Sequence, residues 1–335
     1  MMSIQGNLNN WKRQIAPFEQ CHRGKSLWQL ATTIIPFFLL WYLAFESLAV
    51  STVLALLLTI PTAGFAVRTF IIFHDCCHGA FFKTRRANAV VGILTGLVVM
   101  FPFYRWKREH SIHHATSGNL TRKGVGDIWT LTVDEYAAAS PRRRLAYRLY
   151  RNPLILFGLG PFYMLLVNYR FNKRNAGVKE RVNTYATNAV LLLIIAILGS
   201  VLGWNRFLIV EGPVLYLSGM LGIWLFYVQH QFETTYFEQE DNWSFFQAAM
   251  HGSSFYDLPK VLNWITGNIG YHHIHHLSSR IPNYNLQDLY RSDTAFQQVP
   301  RVGIRLSFRA LGYRLWDEKK KQFINFKNVN KLLKE

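Results

Sequence analysis

The chain has 335 residues, half of them hydrophobic and 15% aromatic, yet it carries a formal charge of +18. So apolar a composition excludes an ordinary soluble domain unless apolar and charged residues are segregated, and they are. Three cysteines (Cys21, Cys76, Cys77) without CxxC spacing support neither a disulfide framework nor a zinc ribbon, and suit a reducing compartment.

Crossing a hydrocarbon core of about 30 Å takes a helix of about 20 mostly apolar residues. Residues 1–26 are too long and polar for a signal n-region, and no small-residue cleavage site follows, so the N-terminus is expected to stay inside, uncleaved. Spans are expected at about 27–48 and 51–73, close enough to form a hairpin, and His74-Asp75-Cys76-Cys77-His78 follows directly. Residues 89–104, ending in Phe-Pro-Phe-Tyr, are short and read as an interfacial or re-entrant helix. His110-Ser111-Ile112-His113-His114 comes next. Residues 153–169, broken by Gly158, Gly160 and Pro161, read like 89–104. A second hairpin is expected at 186–203 and 207–228, with His230 immediately after it. His272-His273-Ile274-His275-His276 lies in the polar remainder, and no period of 20–50 residues signals a repeat fold.

Orientation follows from Lys and Arg. Segments 1–26, 74–183 and 229–335 carry nearly all of them, while the hairpin tips carry only Arg206. The positive-inside rule makes all three segments, both termini and every histidine array cytoplasmic. Arg68 lies inside the second span and is expected to snorkel to the interface. The expected fold is therefore an all-α integral membrane protein. Four transmembrane helices in two hairpins are joined by interfacial helices and a helical cytoplasmic cap.

The histidines carry the chemistry. Positions i, i+3 and i+4 share a helix face, so HxxxH and HxxHH each aim two or three imidazoles at one point. By template counting, an HxxHH would arise about 0.015 times by chance in this composition, and the chain holds two. Ten of the twelve histidines lie in the arrays or at His230. His273 points about 100° away from the register of His272, His275 and His276 and is excluded. His22 and His251 are isolated and expected to be structural or solvated. Clustered neutral imidazoles suit Fe, Zn, Cu or Ni. Structural zinc takes four ligands, usually with thiolate, so nine candidates fit two ions better than one. Asp75, Glu109, Asp127, Glu233 and Asp257 lie near the arrays, and some are candidates to hold the other ring N–H of a ligand. Asn268, four residues before His272, is a candidate to reach the metals.

The segments FIIFHDCCHGAFF at 70–82, HSIHHATSGNLTRKGVGDIWTLT at 110–132 and GNIGYHHIHHLSSRIPNYNL at 267–286 resemble the membrane fatty acid desaturases. They are most similar to the bacterial acyl-lipid desaturases, in particular the phospholipid Δ5 type. The similarity runs from the first span to about residue 320, which implies one membrane domain over 1–335. It implies metal ligation by His74, His78, His110, His113, His114, His230, His272, His275 and His276, with two non-haem irons. An asparagine that precedes the lone histidine by one turn in stearoyl-CoA desaturases is Phe226 here, so that feature does not carry over. The resemblance also implies a plasma-membrane enzyme using O₂ and a ferredoxin or flavodoxin-type electron donor. No HPGG-type haem motif or Gly-rich nucleotide fingerprint supplies electrons from within the chain.

Breaking an unactivated methylene C–H bond lies beyond any side-chain acid or base, whereas a redox metal with O₂ suffices. Phe101, Phe103, Tyr104, Trp106, Phe157, Phe162 and Tyr163 are candidates to wall the path of an acyl chain, although membrane-interface aromatics would look alike. The basic surface suits anionic phospholipid headgroups and an acidic electron carrier, and no nucleic-acid partner is expected. The run Glu318-Lys319-Lys320-Lys321 reads as a solvated helix face. A hydroxylase on the same scaffold is the alternative. A metal transporter is disfavoured, because its ionisable groups belong in mid-span.

Overall fold

The computed structural model describes residues 11–327. The outer ends of the segments expected to be cytoplasmic, 1–10 and 328–335, lie outside the described residues. Four helices among the described residues are long and apolar enough to cross a membrane: Arg23–Ser47, Thr52–His78, Val178–Leu202 and Trp204–His230. The second is the centre of the bundle, with 56% of its apolar window buried against 17–22% for the others. It packs on the first helix, on the fourth and on the short helix Arg85–Val98.

Local signals mark the ends. His22, Ser51 and Thr84 each accept a backbone N–H at a helix start. The second helix does not stop at the end of its apolar run. It continues unbroken through the first histidine array to Gly79, whose φ of +76° closes it in the left-handed conformation. The fourth helix likewise continues to His230. Both therefore carry histidines at their own C-terminal ends, directed inward with the buried residues of the same helices.

The two shorter apolar stretches are bent. Arg85–Val98 meets Phe103–Thr116 at 101°, and Pro141–Tyr150 meets Leu154–Arg170 at 63°. Gly92 permits the first elbow, because a Cβ there would stand 2.2 Å from the ring of Phe103. The second stretch is wound as π-helix over Leu154–Leu159 and Tyr163–Val167, with Gly160–Phe162 as a single α-turn between them.

The polar cap is not wholly helical. Phe255–Asp257 pairs in parallel with Arg301–Gly303, and Leu315–Asp317 pairs antiparallel with Gln322–Ile324. The run 318–321 is the turn of that second hairpin rather than a helix face. Asp317 accepts the backbone N–H groups of Lys319 and Lys320, and Lys321 pairs with Glu238 at 2.7 Å. Arg68 does not snorkel. It is buried, donates to Thr33 Oγ1 at 3.1 Å and to the Trp264 carbonyl, and lies 4.0 Å from the Trp264 ring centroid. The cap folds back over the second helix and supplies the Trp264 carbonyl as an acceptor.

Candidate metal centre

Helix Thr52–His78 supplies His74 and His78, and helix Phe103–Thr116 supplies His110, His113 and His114. His230 ends the fourth long helix, and the one-and-a-half-turn helix His272–Leu277 supplies the last three. The elbow at 99–102 swings the second array over the ends of the long helices.

The nine rings converge. The ligand atoms of His74, His78, His110, His114 and His275 lie within 4.8 Å of one another, as do those of His113, His230 and His276. His272 joins the second set, its Nε2 3.0 Å from His230 Nε2. Within the first set, Nε2 atoms stand 3.0 Å apart for His74 and His110, 3.1 Å for His110 and His114, and 3.0 Å for His114 and His275. In the second, His113 and His230 Nε2 are 3.2 Å apart.

Tautomers decide what these contacts mean. His74 Nδ1 faces Asp75 Oδ1 at 3.2 Å, His113 Nδ1 faces Asp127 Oδ1 at 2.6 Å, and His230 Nδ1 faces the Gly252 carbonyl at 3.2 Å. An acceptor at Nδ1 puts the proton there and leaves Nε2 a bare lone pair. His113 and His230 thus direct two lone pairs at each other, an arrangement that calls for a cation between them. Two nitrogens about 2.1 Å from one ion stand about 3.0 Å apart at a right angle and about 3.4 Å apart at the tetrahedral angle. The observed 3.0–3.2 Å fits the crowded, non-tetrahedral case.

Burial, followed by the charge of neighbouring histidines, pushes the pKa of His272, His275 and His276 well below the ordinary range. They stay neutral, the form that offers a lone pair to a metal. Among the described residues His276 Nε2 is buried without a protein partner. His273 turns elsewhere, its Nε2 3.0 Å from the Phe296 carbonyl. His22 caps a helix, and His251 is half-buried outside both groups.

The polar neighbours divide. Asp75 and Asp127 hold rings. Glu109 does not: its carboxylate takes Arg105 at 3.4 Å and Lys173 at 3.1 Å, cations that outcompete a neutral ring N–H. Glu233 accepts from the Tyr313 hydroxyl, and Asp257 pairs with Arg301. Asn268 also departs from expectation. The helix starts only at His272, so Asn268, at φ +57°, sits in a turn and donates to the Asn283 carbonyl at 3.3 Å. Asn283 is the residue that sequence reasoning missed. Its backbone N–H and side-chain amide both donate to Asp75 Oδ2, at 2.7 and 2.8 Å, from 208 positions away. Its presence in the IPNYNL stretch was the available signal, but nothing local ties it to Asp75.

A cavity of about 450 Å³ reaches the rings, with His74, His110 and His272 in its wall. Such a volume lies in the range of small-molecule sites. Of the seven aromatics expected to wall a path, Phe101, Trp106 and Tyr163 line it. Phe103 is buried in the core, Tyr104 and Phe157 pack elsewhere, and Phe162 stacks on Tyr216. Trp106 also stacks on His110 with centroids 4.2 Å apart, and Phe226 lies 5.0 Å from His113, sealing the rings from below.

The fatty acid desaturase family model matches 49–309. A fatty acid desaturase of Bacillus subtilis (strain 168) is 54% identical over 95% of this chain and 90% of its own length. The sn-1 oleoyl-lipid 12-desaturase of Synechocystis sp. (strain ATCC 27184 / PCC 6803 / Kazusa) is 28% identical over 65% of this chain and 62% of its own. A chloroplastic omega-6 fatty acid desaturase of Brassica napus is 29% identical over 67% of this chain, which spans half of that protein's length.

Proposed function

This chain belongs to the fatty acid desaturase family and is an oxidoreductase, and from that premise we propose that it introduces a cis double bond into acyl chains of membrane phospholipids, at Δ5. Two irons are the proposed cofactors. His74, His78, His110, His114 and His275 would hold one, and His113, His230, His272 and His276 the other. The observation that carries this reading is the facing lone pairs of His113 and His230, 3.2 Å apart with both Nδ1 atoms committed elsewhere.

When bound, the irons with O₂ supply an oxidant for a C–H bond that no side-chain base can break. The chain's own residues do the rest. Asp75, Asp127 and the Gly252 carbonyl hold the Nδ1 protons of His74, His113 and His230 and so fix the rings' orientation. Phe70, Phe101, Trp106 and Phe226 line the cavity beside the rings, keep water out and hold an extended methylene chain near them. A lipid-linked substrate is supported by the name of the Synechocystis relative, an oleoyl-lipid desaturase.

Each turnover needs two electrons from outside, and a ferredoxin or flavodoxin-type donor is proposed to dock on the basic polar face. A plasma-membrane location and one membrane domain over 1–335 are proposed from the likeness to a bacterial desaturase over 95% of the chain, and the charge distribution supports placing the centre and both termini on the cytoplasmic side.

The test is expression in a bacterial host lacking such activity, with gas chromatography–mass spectrometry of its fatty acids and metal analysis of the purified protein. A new monounsaturated product at Δ5, lost in His113→Ala, is expected. An alcohol without an alkene, or folded iron-loaded protein with an unchanged lipid profile, overturns the reading.

A further inference from the structure

The cavity extends far from the rings. Along the fourth long helix it is lined by Phe226, Gly222 and Ser218, which lie four, eight and twelve residues before His230. Residues at that spacing share one stripe of the helix, here about 18 Å long. Gly160, Tyr163 and Met164 of the broken segment face that stripe across the cavity.

The far end is not closed. Tyr163 lines the cavity, yet 62% of its surface is exposed on the apolar flank of the bundle. The two elements meet through Phe162 on Tyr216 and Phe157 on Trp224, and come closest at small residues: a Cβ on Gly219 would lie 3.0 Å from Pro161 Cβ, and one on Gly160 would lie 3.2 Å from Ile223 Cδ1. Between those contacts a Cβ on Gly222 would meet nothing within 4 Å. The wall opposite is π-helix on both sides of Gly160–Phe162, a winding concentrated at functional sites. The other mouth carries Gly124, Gly126 and Lys173 and faces the polar cap.

We propose that the substrate's acyl tail leaves this cavity sideways, past Gly222, between the fourth long helix and the broken segment 154–170, into the bilayer. The inference rests on the desaturase reading and deepens it. Because the tail ends in lipid rather than against a protein wall, the enzyme does not measure tail length. Gly222 is the residue that keeps the passage clear.

The experiment uses the full chain in a bacterial host supplied with saturated fatty acids of different lengths, and measures the fraction of each converted. Wild type is expected to convert 14-, 16- and 18-carbon chains within about threefold of one another, less than one methylene is worth in a closed pocket. Gly222→Phe places a ring in the passage and is expected to lower conversion of the longest chain relative to the shortest by about tenfold. Gly222→Ala, whose methyl has room, is expected to keep the wild-type profile. A steep cut-off between neighbouring lengths in wild type overturns the proposal, and this result stands even if Gly222→Phe fails to accumulate. So does a Gly222→Phe variant that converts every length equally less, or none less. A wild type that makes no alkene from any length removes the desaturase reading and this inference with it, whereas a cut-off with product present removes only the inference.

Discussion

Asp75→Asn should damage metal binding far more than Asp127→Asn, although both remove a carboxylate that holds an imidazole. Asp75 accepts three hydrogen bonds: His74 Nδ1 on one oxygen, and the backbone and side-chain N–H groups of Asn283 on the other. An amide in its place has one acceptor and one donor. If its NH₂ faces Asn283, three buried donors meet with no acceptor. If it faces His74, Nδ1 must become the acceptor and the proton moves to Nε2, the nitrogen 3.0 Å from His110 Nε2. The lone pair is then lost from the site. Asp127 is different. Among the described residues its second oxygen receives only the exposed Gly124 N–H, which water can satisfy. The amide of Asp127→Asn would keep its oxygen on His113 and turn its NH₂ outward. Losing a hydrogen-bond partner behind a metal ligand typically costs about 10–100-fold in affinity, or ~1.4–2.8 kcal/mol. Asp75→Asn is expected at or beyond the upper end, and Asp127→Asn at or below the lower. Iron retained per chain against a graded series of chelator measures both. Equal losses, or the reverse order, would refute the tautomer argument.

His273 makes an acid-stability prediction. Burial, the leading cause, holds its pKa down to about 3, whereas an unfolded histidine titrates near 6.5. The folded value is the depressed one, so between about pH 6.5 and 3 the unfolded chain binds the extra proton. Stability is then lost as pH falls through that window, by up to ~1.4 kcal/mol per unit from this group. His273→Gln should unfold in detergent with a slope against pH that is shallower by up to one proton, and identical slopes would sink the assignment. Gly92→Val should destabilise by about 1–3 kcal/mol, because the buried Phe103 ring occupies the space of its side chain; an unchanged melting temperature would show that the elbow yields. Arg68→Met should cost about 2–3 kcal/mol through its charged hydrogen bonds, while Arg85→Met on the exposed helix start should cost almost nothing. Equal effects in thermal unfolding would mean Arg68 reaches solvent after all.

What could be read from the sequence was what repeats at helical spacing. The four long helices announce themselves by unbroken apolar runs, and HxxxH and HxxHH bring rings together because i, i+3 and i+4 share a face. What could not be read depended on contacts between distant segments. Glu109 adjoins His110, yet it is claimed by Lys173, which lies on a segment whose path follows from the second bent stretch. Asn268 stands four residues before a histidine, but the helix that would give that spacing meaning begins at His272. Arg68 is in an apolar run where snorkelling is the default, and only the return of the cap over the bundle, bringing the Trp264 carbonyl, makes burial the better choice. The lysine run 318–321 has helix-like composition, but pairing of the strands on either side makes it a turn.

The arrangement also explains why the first histidine array needs the membrane helices. An imidazole whose Nδ1 proton is held by a buried acceptor loses rotational freedom only if the acceptor itself is fixed. Asp75 sits on the central helix, one residue after His74, and is pinned from the far side by Asn283; Gln29 of the first long helix donates to Asn283 at 2.9 Å in turn. A line of hydrogen bonds thus runs from the first span through the cap to a ring of the candidate centre. Removing Gln29 should therefore loosen His74 without touching it. The signature would be weakened iron retention in Gln29→Leu with the thermal stability of the bundle preserved, since an apolar side chain of similar length still fills the helix contact. Retention equal to wild type would mean Asn283 is held by its backbone alone, and that the line stops there.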